Sequence, residues 1–177
     1  PTAIEVADAA GNLVSFTGNS GLVTVGGGSG GGNPPPSGFT IELPEVTADT
    51  GDNICIDVTT YNFNSIVSAQ FSINYESGNL AYTGAQNINL PNLQSSGIGN
   101  PSAGNITVSW LSDDLSVGTS VADGTSLFQL CFDVTGSDVT TPLTVSGTPT
   151  PIEVSDASGA ILPLNGINGS VEIGSGG

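Results

Sequence analysis

Short runs in which apolar and polar residues alternate fill most of the chain after residue 38. In residues 66–75, IVSAQFSINY, the odd-numbered positions carry Val, Ala, Phe, Ile and Tyr, and the even-numbered positions between them carry Ser, Gln, Ser and Asn. The stretches 105–112, NITVSWLS, and 126–134, SLFQLCFDV, alternate in the same way. Because successive side chains of a β-strand point to opposite faces, each run predicts a strand with one buried face.

Turn-forming Gly, Pro, Asn and Asp residues separate the predicted strands, as in TADTGDN before residue 54. Further short runs of strand-forming residues are FTIEL, ICIDVTTY, PLTVSG, PIEVSD, AILPL and GSVEI. No long stretch shows the period of an amphipathic helix, and at most a turn or two is expected in NLPNLQSSG. Many short strands joined by tight turns predict an all-β fold, an antiparallel β-sandwich.

The first 29 residues of the chain are similar to the last 29. Residues 1–29, PTAIEVADAAGNLVSFTGNSGLVTVGGGS, align without a gap with residues 149–177, PTPIEVSDASGAILPLNGINGSVEIGSGG, and 13 of the 29 pairs are identical. A self-match at a fixed offset indicates a repeat, and an offset of 148 residues is the size of a whole domain. We therefore expect tandem domains connected by linkers.

The composition predicts where the linkers lie. Residues 26–38, GGGSGGGNPPPSG, combine flexible Gly and Ser with three stiffening prolines. Residues 174–177, GSGG, begin a second linker at the equivalent position. The predicted organisation is one complete domain at 39–173, preceded at 1–25 by the C-terminal strands of an earlier repeat.

Residues 1–25 are expected to have no vacant place in the domain that follows, because that domain contains its own copy of them at 152–173. Two explanations remain open. The chain is a window on a longer continuous array, or the segment completes a neighbouring subunit by strand addition. Both predict contacts between copies, and the apolar positions expected to make them are Ile4, Val6, Val14, Phe16, Val23 and Val25.

The charge composition excludes several classes of function. The chain has 16 Asp and Glu residues, no Lys, Arg or His, and a formal net charge of −16. Without cations it cannot bind a phosphate backbone, so we expect no nucleic-acid binding. Without His or Lys it lacks the bases of Ser–His, Cys–His and Schiff-base catalysis, and no carboxylate pair is set convincingly for hydrolysis, so we expect no enzyme. No apolar run approaches about 20 residues, so we expect no membrane insertion.

The two cysteines, Cys55 and Cys131, lie on the polar faces of their predicted strands. Cys55 shares its face with Asp57, and Cys131 shares its face with Gln129 and Asp133. An even number of cysteines is typical of an oxidising compartment, and we predict a Cys55–Cys131 disulfide that joins two neighbouring strands across the outer face of one sheet. The alternative is two separate reduced cysteines.

Acidic loops raise the question of a calcium site. Asp113 and Asp114 in the SDD segment are the best candidate ligands, and no other cofactor is expected. Calcium takes six to eight oxygen ligands, so a site requires several acidic loops to converge. Asp and Gly also occur in tight turns for conformational reasons, and the repeated VxDxxG segments, which contain Asp8 and Asp156, favour that explanation.

Trp110 is the only tryptophan of the chain. It alternates with Ile106 and Val108 on a predicted strand, which favours a core position. The alternative is an exposed aromatic platform for a ligand.

The order of these segments resembles the cohesin domain. The stretch IVSAQFSINYESGNLAYTG is followed by NITVSWLSDD, then by VADGTSLFQLCFDV, and a closing PTPIEVSDASGAILPLNGINGSVEI completes the pattern over nearly all of 39–173. The resemblance implies a jelly-roll or Ig-like sandwich of about nine strands. It also implies that a dockerin module is the partner, on a face that includes Ser68, Gln70, Ser72, Asn74 and the outward residues of NITVSWLS.

Two features depart from the cellulosomal members of that family, namely the cysteine pair and the lack of basic residues. The sequence looks more like the cohesin-like repeats of very large secreted bacterial surface proteins. We therefore expect a structural tandem repeat of an extracellular filament or giant adhesin, which is secreted to the cell surface and self-assembles through contacts with neighbouring copies of itself. The alternative is a recognition module that binds a dockerin-like partner or a glycan through one sheet face.

Overall fold

The computed structural model describes residues 6–7, 13–14 and 36–176. The chain divides into two compact units, Pro1–Asn33 and Pro34–Gly177. In the first unit, strands β1 (Val6–Ala7) and β2 (Leu13–Val14) pair antiparallel, with Val6 opposite Val14 and Ala7 opposite Leu13.

Thirteen strands are the main regular elements in the described part of the second unit. They are β3 (Thr40–Glu42), β4 (Glu45–Asp49), β5 (Asn53–Tyr61), β6 (Phe63–Tyr75), β7 (Leu80–Gln86), β8 (Ile98–Ser102), β9 (Asn105–Leu111), β10 (Thr119–Val121), β11 (Thr125–Val134), β12 (Val139–Ser146), β13 (Glu153–Asp156), β14 (Asn165–Ile167) and β15 (Gly169–Gly174). One short 3-10 turn, Ser95–Gly97, precedes β8. Among the described residues, no helix is long and apolar enough to cross a membrane.

These strands form two sheets. The five-stranded sheet has the order β14-β3-β5-β11-β7. The eight-stranded sheet has the order β4-β15-β12-β6-β9-β8, and β10 and β13 also pair with β6. Most neighbours are antiparallel, whereas β14 with β3 and β15 with β4 are parallel. The architecture confirms the predicted all-β jelly-roll sandwich, in which bends and bulges divide the strands into shorter segments.

The core lies between the two sheets, where each strand buries its apolar face. Phe132 of β11 packs edge-to-face against Tyr75 of β6 at 5.2 Å between ring centroids, so this contact joins the two sheets. Phe63 makes similar contacts with Phe39 and Trp110. Trp110 is only 5% exposed and donates a hydrogen bond from its indole Nε1 to the carbonyl of Pro91, so the predicted core position is confirmed.

The strict alternation predicted for residues 66–75 does not hold at the first two residues, Ile66 and Val67. Ile66 is fully buried and Val67 is only half-buried, the reverse of the prediction. The ladder between β6 and β13 explains the difference. Ser155 lies opposite Ser68 and the next residue, Asp156, lies opposite Ile66, so β6 has one extra residue at position 67. A bulge of this kind inverts the alternation on one side of it.

The two cysteines lie directly opposite each other on β5 and β11. They are joined by a disulfide with an S–S distance of 2.09 Å, and no free cysteine remains. The neighbouring pairs on the same face are polar, since Asn53 Nδ2 donates to Asp133 Oδ1 at 2.9 Å. The bridge therefore lies on the outer face of the five-stranded sheet, within a ladder of hydrogen-bonded side chains.

Candidate functional site

The outer face of the eight-stranded sheet is organised around β6, with β9 on one side and β12 and β13 on the other. Strand register places outward side chains in four rows across these strands. The rows are Asn105–Asn74–Thr144, Thr107–Ser72–Ser146, Ser109–Gln70–Glu153 and Leu111–Ser68–Ser155. The residues between them on β6 and β9 point into the core, so this polar face results directly from the period of two.

Hydrogen bonds along the rows hold these side chains in place. Gln70 Nε2 donates to Glu153 Oε2 at 2.6 Å, and the hydroxyls of Ser68 and Ser155 lie 2.7 Å apart. A surface whose polar groups are already oriented loses less conformational entropy when a partner binds.

The segment between β12 and β13 covers half of this face. Thr150 donates its backbone N–H to Ser72 Oγ at 2.9 Å, and Asn74 Nδ2 donates to the carbonyl of Thr148 at 3.0 Å. Ser72 is fully buried as a result. The prediction that Ser68, Gln70, Ser72 and Asn74 share one face is correct, but Ser72 is not accessible because residues 147–150 lie over it.

The uncovered part is a shallow depression of about 370 Å³, which we call the open face. It is lined by Ser68, Ala69, Gln70, Ser109, Trp110, Leu111 and Glu153. Leu111 is 53% exposed, whereas the neighbouring Trp110 contributes only the small part of its surface that is not buried. The open face therefore combines one exposed aliphatic side chain, one carboxylate and several neutral hydrogen-bonding groups.

Glu153 was not assigned to this face from the sequence, whereas Leu111 is one of the outward residues of NITVSWLS that were. The outward position of Glu153 could have been inferred from the sequence, because this residue precedes the buried Val154 in an alternating run. Glu153 and Glu5 also form one of the identical pairs of the repeat. The exposure of Leu111 agrees with its outward position in the alternation of NITVSWLS.

Strand β13, which carries Glu153, ends in a turn built on Asp156. Its Oδ1 accepts hydrogen bonds from the backbone N–H and the hydroxyl of Ser158 and from the backbone N–H of Ala160. These donors favour the charged form, so they hold the pKa of the Asp156 carboxyl below its ordinary value of 3.8, with the Ser158 hydroxyl contributing most. The turn fixes the end of β13 beside β6.

The lowered pKa of Asp156 predicts a pH-dependent contribution to stability. At pH 7 the Asp156 carboxylate is charged in the folded and in the unfolded state, and the hydrogen bonds of the folded state stabilise the charged form. Asp156→Asn should therefore unfold at a lower urea concentration than the wild type. The difference should shrink as the pH falls through the folded-state pKa, because the proton then removes the charge from both states. Urea unfolding at several pH values checks this, and a difference that grows towards acid pH would contradict it.

The connection between β9 and β10 contains the proposed calcium ligands Asp113 and Asp114. Asp114 Oδ1 accepts hydrogen bonds from the hydroxyl and the N–H of Ser116 and from the N–H of Val117, and these bonds lower the pKa of its carboxyl. Within the described part of the chain, no three acidic or other ligating side chains converge on one point. A calcium site at Asp113 and Asp114 stays a prediction.

The predicted assembly residues belong to the first unit. Val6 and Val14 are paired in the β1–β2 hairpin. The other four, Ile4, Phe16, Val23 and Val25, lie outside the described residues.

A second, larger depression of about 620 Å³ lies at the other end of the eight-stranded sheet. Its lining includes the carboxylates of Asp49, Asp52, Asp138 and Glu172. None of the large apolar side chains that are exposed in the described part of the chain lies in it. The open face is therefore the stronger candidate, because it offers an apolar contact together with oriented polar groups.

Comparison with known proteins identifies the family to which this fold belongs. The family model described as "Cohesin domain" matches residues 39–173. A non-cellulosomal cohesin from the archaeon Archaeoglobus fulgidus is 25% identical, with a TM-score of 0.61, and the match covers 77% of this chain and 91% of that one. No curated protein matches the chain.

Two further similar structures are complexes. One is a type I cohesin–dockerin complex, Coh-OlpA with Doc918, from Clostridium thermocellum, and the other is the sixth cohesin of scaffoldin B from Acetivibrio cellulolyticus with a Cel5 dockerin. Each is 19% identical with a TM-score of 0.65, and each match covers 77% of this chain and 99% of the other.

These complexes correct the partner expected from the sequence. The repeat at 1–25 suggested neighbouring copies of the same chain and a homo-oligomeric filament. That prediction is wrong, since several of the similar structures are complexes of a cohesin with a dockerin. Internal similarity shows that a segment is repeated, but it carries no information about what the surface of each copy binds.

Proposed function

The chain belongs to the cohesin family, and on that premise we propose that residues 39–173 are a recognition module that binds a dockerin-like partner through the open face. The observation that carries this proposal is the row Ser109–Gln70–Glu153 beside the exposed Leu111. It offers oriented polar groups next to an aliphatic contact, without any group placed for catalysis. The role is binding, and no bond is made or broken.

The same surface favours a protein partner over a glycan. Sugar rings are commonly bound by stacking on exposed aromatic side chains, and the only aromatic residue that lines the open face, Trp110, is 5% exposed. An exposed leucine beside hydrogen-bonding side chains instead fits the apolar centre and polar rim of a protein interface.

The negative charge of this chain indicates that the partner presents a basic surface. Gln70 occupies one oxygen of the Glu153 carboxylate, and the chain contains no Lys, Arg or His to neutralise that group. Any ion pair at the open face must therefore take its cation from the partner. Attraction between a net charge of −16 and a basic surface also accelerates association at low salt.

We propose an extracellular location for the module. The Cys55–Cys131 disulfide supports it, because such bridges persist in oxidising environments.

The register of the two hairpins supports the proposal that residues 1–25 are the C-terminal strands of a preceding repeat. In the first unit Ala7 lies opposite Leu13, and 148 residues later Ser155 lies opposite Ile161. Equivalent residues thus pair in both copies. An array of such modules would carry several partner-binding faces on one chain, separated by Gly- and Pro-rich linkers.

Removing the charge of Glu153 tests the proposed face. Wild-type protein should bind at least one dockerin module encoded in the same genome with a Kd of about 1 μM or tighter, and Glu153→Gln should weaken that binding about tenfold. The variant keeps the shape of the side chain and loses the ion pair. Surface plasmon resonance with each dockerin immobilised on the same carrier measures both, and added salt should reduce the wild-type affinity more than that of the variant.

Glu172→Gln is the matched control, because it removes the same charge from the outer face of β15, outside the open face. It should bind like the wild type. Failure of every dockerin to bind the wild type would refute the proposed function. Equal losses in the two variants would show that net charge matters and the open face does not.

A further inference from the structure

The sheets of this sandwich end in edge strands, and these edges differ in how well they are protected. In the described part of the chain the eight-stranded sheet ends at β4 and β8, and the five-stranded sheet ends at β14 and β7. Short edge strands and bulges prevent another chain from pairing with an edge. Strand β14 has three residues, and β7 and β8 each have a register shift, as do β10 and β13 beside β6. Strand β4 has neither protection, because it pairs with β15 over five residues in one continuous register.

The backbone of β4 has unpaired groups on the side away from β15. Glu45 lies opposite Ser170, and Ser170 donates its N–H to the carbonyl of the preceding residue, Pro44, at 3.2 Å. In a parallel ladder of this kind, alternate residues direct their backbone groups to opposite sides. Glu45 and Thr47 therefore direct their N–H and C=O groups outward, where no described strand pairs with β4.

A turn fixes the end of this edge. Asp49 donates its backbone N–H to the carboxylate of Asp52 at 2.9 Å, and the N–H of Asp52 returns a hydrogen bond to the carbonyl of Asp49 at 3.0 Å. The free part of the edge thus ends before Asp49 and is held in an extended conformation, so a partner would not need to order it.

The apolar face of β4 is also incompletely covered. Val46 and Ala48 pack against the core but are only half-buried. On the neighbouring strand β15, the corresponding Val171 and Ile173 are fully buried. A further strand outside β4 would place its own inward side chains over Val46 and Ala48 and remove the remaining apolar surface from water.

The outer face of the same edge is acidic. Glu45 and Asp49 are exposed on β4, and Glu172 of β15 lies beside Thr47. Like charges directly opposite each other on neighbouring strands are destabilising, whereas opposite charges stabilise the pair. A second copy of β4 would bring carboxylates to this edge, and the chain has no Lys, Arg or His to neutralise them. The charge therefore disfavours a copy of the same strand and favours a strand that carries cations.

We propose that β4 is a second docking site, at which an extended segment of a partner protein adds to the sheet as a new edge strand. In this segment Lys or Arg residues face Glu45 and Asp49, and they alternate with aliphatic residues that cover Val46 and Ala48. The site goes beyond the proposed function and does not depend on it. Strands β15 and β12 separate β4 from β6, which carries the open face.

The first test is the affinity for a synthetic peptide of about ten residues in which Lys and Val alternate. The control peptide has the same residues in two blocks, all Lys before all Val. Both have the same charge, but only the alternating peptide places cations on one face of a strand and aliphatic groups on the other. At about 0.15 M salt the alternating peptide should bind at least about tenfold more tightly, as measured by fluorescence anisotropy of labelled peptide.

Thr47→Pro tests the backbone edge. Proline removes the N–H that points away from β15 and leaves the β4–β15 ladder intact, which is the position where an edge strand tolerates proline. The variant should bind the alternating peptide about tenfold more weakly than the wild type. Thr47→Val is the matched control, because it changes the same side chain and keeps the N–H, and it should bind like the wild type.

Hydrogen exchange of the wild-type protein tests the same contact without any substitution. Saturating alternating peptide should slow exchange of the Glu45 and Thr47 amides about tenfold or more, because their N–H groups become hydrogen-bonded. The block peptide should not. Unchanged exchange of both amides in the presence of bound alternating peptide would overturn the inference.

Glu45→Gln tests the cations of the partner. It should weaken binding of the alternating peptide a few-fold, whereas Glu76→Gln, which removes an exposed carboxylate after β6, should not. Equal effects of the two substitutions would contradict the stated chemistry of the partner.

The remaining outcomes separate this inference from its alternatives. Equal affinities for the two peptides would show that the net charge alone attracts them, and the inference would be wrong. It would also be wrong if the wild type dimerised in analytical ultracentrifugation and Thr47→Pro did not, because a second copy would then occupy the edge. Failure of every dockerin to bind refutes only the proposed function, since tighter binding of the alternating peptide and protection of the two amides would still support the site at β4.

Discussion

Replacing Cys55 and Cys131 together by alanine should lower the free energy of unfolding by about 4 kcal/mol. The two residues are 76 positions apart in sequence, so the bridge closes a long loop and removes many conformations from the unfolded chain. The folded state should change little, because β5 and β11 keep their backbone ladder and the side-chain hydrogen bond between Asn53 and Asp133.

Urea unfolding followed by the fluorescence of Trp110 measures this effect, since the single tryptophan is buried in the folded state. Wild-type protein unfolded in the presence of a thiol reductant is the control and should approach the stability of the variant. A loss below about 1 kcal/mol would show that the unfolded chain is not restricted by the bridge, and the entropic explanation would be wrong.

Phe132→Ala should destabilise the domain by about 4 kcal/mol. Phe132 is fully buried, and its ring makes edge-to-face contacts with Tyr75 at 5.2 Å and with Tyr82 at 5.7 Å. Tyr75 belongs to the opposite sheet, so truncation opens a cavity between the two layers and removes an aromatic pair that joins them.

Phe132→Leu is the matched variant, because it keeps most of the buried volume and loses the aromatic contacts. It should cost less than about 1.5 kcal/mol. The same urea experiment compares the two variants. Equal destabilisation by alanine and leucine would show that the aromatic geometry matters more than the cavity, contrary to the physical reason given for the larger loss.

The outer face of the eight-stranded sheet shows which side-chain positions can be predicted from the alternation of apolar and polar residues alone. The period of two in IVSAQFSINY and NITVSWLS correctly predicts which residues point outward in β9 and in β6 from Ser68 onward. It does not predict that Thr150 buries Ser72, because that contact joins residues 78 positions apart and depends on the path of the segment after β12. It also misassigns Val67, since a bulge is decided by the pairing of β6 with β13.

The partner prediction is wrong and the calcium site stays a prediction, and both came from local patterns in the sequence. Acidic residues near each other in sequence suggested a metal site, but Asp114 directs one oxygen to the backbone of its own turn. The repeated segment suggested self-association, but a repeat describes the construction of a chain and leaves its partners open. In both cases a local pattern was compatible with several tertiary arrangements.

The all-β sandwich and the faces of most strands could be predicted from the amino-acid sequence, which also favoured a Cys55–Cys131 bridge over two reduced cysteines. These follow from side-chain period, turn chemistry and composition, which act locally or on the whole chain. The tertiary structure was needed to show which part of the polar face is open, that Glu153 lies beside Gln70, and that Leu115 and Val117 are exposed. These properties depend on contacts between strands distant in sequence, and no local pattern specifies them.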